Sequence, residues 1–447
     1  MLRREQLQLL SKDELIEIIL TLESRIAALE KNSSNSSKPP SSDFHMPKRN
    51  QSLRTSSGRK SGGQHGHAGI TREQTVSPDE VITCRPEVCH SCKRSLHGIT
   101  GLVWEKRQVA DIPPMQMFVK EYRSESISCP DCKARSIGIF PDQVSSTFQL
   151  GTHFQSLVVY LSVVHHLPFE RLARLVNDLW HCPVSQGTID TILSKAADSG
   201  KPLHESIRSL VKRESWVGGD ETGVGVEKKT WWQWVWQNTR GSFYAVDESR
   251  GYAVVERYFG EDYTGTLVHD CWSAQNNTVA NFHQLCHAHL LRDLNFCLEA
   301  DKSQWAYTVK TLLQSSERAQ THIWQDTFDP VLRVRVIARY NEALLALINE
   351  PVAGRETKRL QKRFRKHREK IFHFLTSPNI PFHNNGSEQA IRNAKVKQKI
   401  SGSFRSAQGA RRHAILLSII ETCKKQGMDV FLSLQLLCEG KLSLQGG

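Results

Sequence analysis

The 447-residue sequence predicts an α/β domain interrupted by a helical insertion and preceded by one amphipathic helix and a small cysteine-rich module. Strand-like runs at 215–222, 231–236, 243–247 and 266–270, with one helical run before the last, predict the sheet. Helical, strongly basic patterning from 301 to 379 predicts the insertion. A pair of Cys-x-x-Cys sequences upstream predicts the small module.

Composition sets the frame. Hydrophobic residues make up 39% and charged residues 23%, enough for a sizeable core and several domains. Lys+Arg number 59 against 46 Asp+Glu, a net charge of +13, which points to a polyanion such as nucleic acid. Apolar runs are too short for a transmembrane helix, and the N-terminus is not a signal peptide. A cytoplasmic protein is therefore expected, with its 11 cysteines as thiols or metal ligands rather than disulfides.

Segment 1–31 opens with Ser11-Lys12-Asp13-Glu14, a capping box. Leu15, Ile19, Leu22, Ile26 and Leu29 follow as an a/d seam, suited to a short coiled coil and a homo-oligomer, or to a helix packed on its own domain. Segment 32–75 is Ser/Pro-rich and then basic through Lys48, Arg49, Arg54, Arg59 and Lys60. It cannot bury enough apolar area to order itself and reads as a flexible basic linker, with His65 and His67 as solvated loop residues or, alternatively, metal ligands.

Segment 76–147 carries Cys89-His90-Ser91-Cys92 and Cys129-Pro130-Asp131-Cys132, separated by a strand-like stretch from Val103 to Ile127. Each tight turn supplies two thiolates, so Cys89, Cys92, Cys129 and Cys132 predict a closed, structural Zn2+ site in a zinc ribbon. A redox pair is the competing reading. Segment 148–212 is helical. Ser185 caps a helix as in the second helix of a helix-turn-helix, but few basic residues mark a reading face, so scaffold helices fit equally.

The α/β domain is expected over 213–300 and 380–425, around the insertion 301–379 and before a tail, 426–447. Ser215–Thr222 reads as a strand ending in the acidic pair Asp220-Glu221, with Gly218-Gly219 softening its end. Trp231–Trp236 and Phe243–Asp247 complete an antiparallel meander, and Thr266–Asp270 is a buried strand ending in an aspartate. In the insertion, nine Lys and Arg residues between Arg355 and Lys370 face only Glu356 and Glu369. Such like charges repel unless solvated or screened by a polyanion, making Lys358, Arg359, Lys362, Arg363 and Lys366 candidate DNA contacts.

Asn384-Asn385-Gly386-Ser387 is turn and N-cap chemistry, so a helix begins near Asn385 or Ser387 and Glu388 falls in its first turn. Arg392 and Lys395 lie on the same helical face, and basic character continues through Lys397 and Arg405. Taken alone, Glu388 fits a capping glutamate. Meander, helix, strand and late acidic helix in this order describe a ribonuclease H-like fold, in which Asp220, Asp270 and Glu388 meet at one sheet edge. Such acids can hold two Mg2+ (or Mn2+) ions roughly 3.5–4 Å apart for phosphoryl transfer. Neither acyl-enzyme machinery nor a phosphate-cradling glycine loop accompanies them.

The sequence around Asp220-Glu221-Thr222, Val268-His269-Asp270, Cys286-His287-Ala288-His289, Asn384 through Arg392, Ser401–Ser406, Asn35–Asp43 and both cysteine pairs resembles a DDE transposase, specifically the TnpC-type transposases of insertion-sequence family sixty-six. The resemblance implies catalytic Asp220, Asp270 and Glu388, a helical insertion between the second and third acids, and metal-dependent strand cleavage and transfer at element ends. It also implies DNA partners (transposon ends and target) and leaves room for accessory transposition proteins. A Cys-x-x-His pair after the second aspartate recurs in such families and matches Cys286 and His289, as a structural support or a DNA-positioning element. This chain has His383 where an aspartate often precedes the Asn pair. The alternatives are a non-catalytic zinc-ribbon and helix-turn-helix DNA-binding regulator, and a nuclease of the same fold without strand transfer.

Overall fold

The computed structural model describes residues 11–30, 73–112 and 115–445. The expected linker lies outside them as far as residue 72. Helix 12–30 and residues 119–445 belong to one compact unit, and 73–112 with 115–118 to the other.

In the larger unit, helix α1 (Lys12–Glu30) starts at the predicted capping box: Ser11 N–H donates to Glu14 Oε2 at 2.8 Å, and Glu14 N–H returns to Ser11 Oγ at 3.3 Å. Ile19 and Leu22 of its seam are exposed, as is Ile16 beside it, and Leu15 is half-buried.

Knuckle geometry is present in each unit. In the smaller one Cys89 N–H donates to Arg94 O at 2.8 Å, and Lys93, at φ 61°, donates to Cys89 O. In the larger one Cys129 N–H donates to Ala134 O at 2.8 Å, and Lys133, at φ 59°, donates to Cys129 O. Strands β1 (Ser126–Ser128) and β2 (Arg135–Ile137) pair antiparallel around that second turn. The longer strand expected from Val103 is absent among the described residues. Val103, Trp104 and Val109 are exposed, so the apolar pattern there has no core to pack against.

Helices α2 (Thr152–Val159), α3 (Phe169–Trp180) and α4 (Gln186–Lys212) follow. Ser185 caps α4 as predicted, accepting from Thr188 N–H at 3.0 Å. The face of α4 with Ile189, Leu193, Ala196 and Ala197 is buried, which packs this helix into the core. Gly200 lets it approach a late helix so closely that a Cβ would lie 2.6 Å from Ile419 Cδ1.

The sheet has five strands: β3 (Trp216–Val226), β4 (Lys229–Gln237), β5 (Ser242–Asp247), β6 (Tyr263–His269) and β7 (Ala280–Leu285). Their spatial order is β5-β4-β3-β6-β7, antiparallel across the first three and parallel from β3 to β6 to β7. Helix α5 (Tyr252–Tyr258) links the two halves, and the short α6 (Ser273–Asn276) lies between β6 and β7. Two expectations change. β3 does not end at its acidic pair but runs to Val226, because its hairpin with β4 extends beyond the parallel pairing with β6, which stops at Gly218. β7 was not legible, since its exposed Asn281 and Phe282 break the alternation a half-buried strand would have.

Beyond β7 come α7 (His287–Asp301), α8 (Gln304–Ile323), α9 (Pro330–Asn349) and α10 (Arg355–Lys366). They share one core with the parallel side of the sheet: Val268 and Leu285 pack with Leu294, Leu313, Phe364 and Phe374. The chain returns through α11 (Asn385–Ser401) and α12 (Ala407–Lys425). α12 covers the outer edge strand: Ser242 N–H donates to Thr422 Oγ1 at 3.2 Å and Tyr244 N–H to Ser418 Oγ at 2.9 Å. The stretch expected as a tail instead contains helix α13 (Val430–Cys438), with Leu434 and Leu437 buried.

Candidate active site

Asp220 stands on β3 and Asp270 immediately follows the neighbouring parallel strand β6, each two residues beyond the paired Gly218 and Val268. Equal spacing from a register pair brings the two to the same level. Asp220 Oδ1 accepts from Glu221 N–H at 2.8 Å, and Asp270 Oδ1 from Trp272 N–H at 2.8 Å. Burial, then the charges of Asp270, Glu221 and Glu388, push Asp220 well above the usual carboxylate range. Among the described residues neither Asp220 nor Asp270 has an ion-pair partner.

Glu388 arrives on α11, whose first turn is pinned against β3. Asn384, 3% exposed, does not cap the helix with its side chain; its Nδ2 donates to Gly219 O at 2.7 Å. Ser387 Oγ accepts from Gln237 Nε2 at 3.2 Å. These contacts need the helix and the strand to approach closely. A Cβ at Gly218 would sit 2.5 Å from Ser387 Oγ, and one at Gly386 would sit 2.8 Å from Gln237 Nε2. Gly218 therefore does more than soften a strand end, for with Gly386 on the facing helix it lets α11 deliver Glu388 to the edge bearing Asp220 and Asp270.

Glu221, the other member of the acidic pair, has a different environment. It is buried, with Arg250 Nε donating to its Oε1 at 2.9 Å and Gln275 Nε2 to its Oε2 at 3.4 Å. Arg250 is held between Trp272 and Trp232, its guanidinium 3.7 and 4.5 Å from their ring centroids.

Cys286 and His289 border Glu388. Cys286 Sγ is buried and accepts from Asn384 N–H at 3.1 Å. His289 Nδ1 lies 3.6 Å from Glu388 Oε1, and Arg292 Nη2 lies 3.4 Å from the same oxygen. Arg292 was missed in the sequence, although it follows His289 by three residues on one helical face. Beneath Asp270, buried His269 contacts His283 Nδ1 through its Nε2 at 3.0 Å, and burial, then the His283 charge, holds its pKa well below normal.

The basic residues divide into two groups. Lys358, Arg359, Lys362 and Lys366 are exposed along α10, as are Arg392 and Arg405. Others are engaged. Arg363 is ion-paired with Asp293 of α7, so the alternation of α10 turns this guanidinium inward. Lys395 donates to Gly223 O at 2.9 Å, tying α11 to β3. Lys397 Nζ lies 3.8 Å from the Phe404 ring centroid, and burial pushes its amine down to about 8. Phe404 in turn bridges to Val226, with its N–H donating to Gly225 O at 2.8 Å, which gives the Ser401–Ser406 segment its place beside β3.

At the knuckles, N–H groups of Cys92 and Ser91 donate to Cys89, and those of Cys132 and Asp131 to Cys129, lowering both thiols. Among the described residues no helix is long and apolar enough to cross a membrane.

Comparison with known proteins meets this geometry. Residues 2–73 match a family of unknown function, DUF6444. Over 71 residues the chain is 34% identical to an uncharacterized protein, y4jO, of Sinorhizobium fredii (strain NBRC 101917 / NGR234). That match covers 16% of this chain and 22% of the relative, so the chain spans about a fifth of the length of the curated relative it matches. Residues 147–412, more than half of the chain and the region containing all three acids, match the profile described as "Transposase IS66 family". The chain belongs to the IS66 family of transposases.

Proposed function

We propose that the protein is a DNA transposase of DDE type, cleaving and joining strands at the ends of an insertion sequence, with Asp220, Asp270 and Glu388 as its metal ligands. The observation that carries this reading is the convergence of Asp220, within β3, and Asp270, just past the end of β6, with no ion-pair partner among the described residues, beside a Glu388 held by the pinned start of α11. Clustered carboxylates that repel one another fit hard divalent cations such as Mg2+ or Mn2+. Bound there, the cations would supply activation of a water or 3′-hydroxyl and stabilisation of the leaving oxygen. The strand order and directions, an antiparallel meander extended by two parallel strands, support a ribonuclease H-like core.

The chain's own groups take the remaining roles. Asn384 and Ser387 fix the direction of the Glu388 helix, and Arg292 sets the carboxylate's near side. Arg392, Arg405 and the exposed face of α10 present cations to DNA phosphates, where each contact adds affinity without reading sequence. Exposed apolar positions of α1 support self-association. Each cysteine knuckle offers thiols pre-organised by N–H donors, which supports structural Zn2+ as their ligand.

The test is incubation of the full chain with DNA carrying the element's ends and Mg2+ or Mn2+. Asp220→Asn and Glu388→Gln should each lower cleavage by at least ~10²–10³-fold while DNA binding persists. Cleavage at the wild-type rate by either variant would overturn the assignment. Site-specific binding with no cleavage by the unaltered chain would favour the regulator instead.

A further inference from the structure

Cys286, His289 and Glu388 bring one sulfur, one imidazole nitrogen and one carboxylate oxygen within 4.8 Å of one another. This donor set differs in kind from the aspartates beside it. A thiol and an imidazole select Zn2+ or Co2+, whereas hard oxygens select Mg2+.

Independent features favour a cation here. Cys286 begins a Cys-x-x-His turn in which the N–H groups of His289 and Ala288 donate to the sulfur, joined by Asn384 N–H at 3.1 Å. The same pattern, N–H donors two and three residues on, surrounds Cys89 and Cys129 in the knuckles. Cys286 is thus the head of a third such turn, with histidine in place of the second cysteine. In addition, His289 Nδ1 is buried and makes no hydrogen bond, and its oxygen neighbour is Glu388 Oε1 at 3.6 Å. That separation is too long for a hydrogen bond but close to the edge of a tetrahedral coordination sphere. Arg292 shares the Glu388 oxygen, yet its side chain is 28% exposed and has room to turn outward.

We propose that Cys286, His289 and Glu388 form a binding site for a thiophilic divalent cation, Zn2+ foremost, separate from the Asp220–Asp270 pair, and that its occupation inhibits the enzyme by holding Glu388. Binding converts the Cys286 thiol to a metal thiolate, and the displaced proton passes to solvent. The inhibitory half rests on the reading of Glu388 as a catalytic ligand; the binding half does not.

The experiment is titration of the purified full-length chain with Co2+, followed by thiolate-to-cobalt absorption in the near ultraviolet. The wild-type chain should take up about one equivalent more than Cys286→Ser, with the difference spectrum carrying that band. His289→Asn, a second variant should Cys286→Ser fold poorly, should weaken this uptake by at least ~10-fold. Zn2+ added to Mg2+-supported cleavage should inhibit the wild type at concentrations at least ~10-fold below those inhibiting Cys286→Ser, each compared with its own zinc-free rate. Asp220→Asn should keep the cobalt band although it no longer cleaves. Superimposable cobalt spectra for the wild type, Cys286→Ser and His289→Asn would overturn the site. A cobalt band in a wild-type chain that never cleaves DNA would sustain the site and overturn the catalytic reading instead.

Discussion

An alanine at Gly218 would place a methyl group 2.5 Å from Ser387 Oγ, 2.7 Å from Asn384 Oδ1 and 3.0 Å from Gln237 Nε2. The closest of these falls about 0.9 Å short of ordinary van der Waals contact, and all three neighbours are buried. Alanine is compatible with an extended strand, so the strain falls on the start of α11 rather than on β3. Overpacking of this kind costs about 1–3 kcal/mol, or roughly 2–10 °C in Tm for a domain of this size. A retreat of the α11 start by close to ~1 Å moves Glu388 relative to Asp220 and Asp270, which should lower Mg2+-dependent cleavage by about 10²-fold. The assay is single-turnover cleavage of element-end DNA beside a thermal melt, at a temperature where the variant is folded. Ser387→Ala removes the nearest clashing atom, so the double variant should recover part of the lost rate. A folded Gly218→Ala chain that cleaves at the wild-type rate would refute the view that close packing of α11 on β3 positions Glu388.

Other outcomes follow from the same geometry. Because burial and the neighbouring carboxylates raise Asp220, its proton is held more tightly folded than unfolded. That stability is fully present below the unfolded pKa and is lost as pH rises through the raised folded value, so the Tm gain from Mg2+ should grow as pH rises above the ordinary aspartate range and flatten in Asp220→Asn. A gain independent of pH in the wild type would contradict this. Charge reversal at Lys358, Lys362 and Lys366 should weaken DNA binding for all sequences and reduce the salt slope by about 1 per lost phosphate contact, as measured by binding across a salt series. Arg363→Ala should instead lower Tm, by on the order of 1–3 kcal/mol in stability, because it strips the guanidinium from Asp293. Metal analysis of purified protein should find Zn2+ attached to the knuckle cysteines, and that zinc should be lost when Cys89 and Cys129 are replaced by serine.

The sequence alone determined whatever rests on local spacing. The capping box at Ser11, the Ser185 cap, the turns around Cys89 and Cys129, the strands carrying Asp220 and Asp270, and a helix start just before Glu388 are all set by residues within a few positions of one another. The caps and turns close their hydrogen bonds within a few residues, and the strands announce themselves by composition and period, so local pattern suffices to find them. What required the tertiary structure was every decision made between distant segments. Strand β7 is held by β6 and by the insertion's core, not by its own alternation. Asn384 looked like a cap but spends its amide on Gly219, and Gly218 owes its role to a helix far along the chain. Arg363 shares its helix with six exposed cations, and its ion pair with Asp293 on α7 sets it apart as the one turned inward. Glu388 itself was an ordinary first-turn glutamate until the pairing of β3 with β6, and the close approach of α11 to β3 at Gly218, set it beside the aspartates. Periodicity records which face of an element is apolar, whereas the partner that face meets depends on long-range packing that no local pattern encodes.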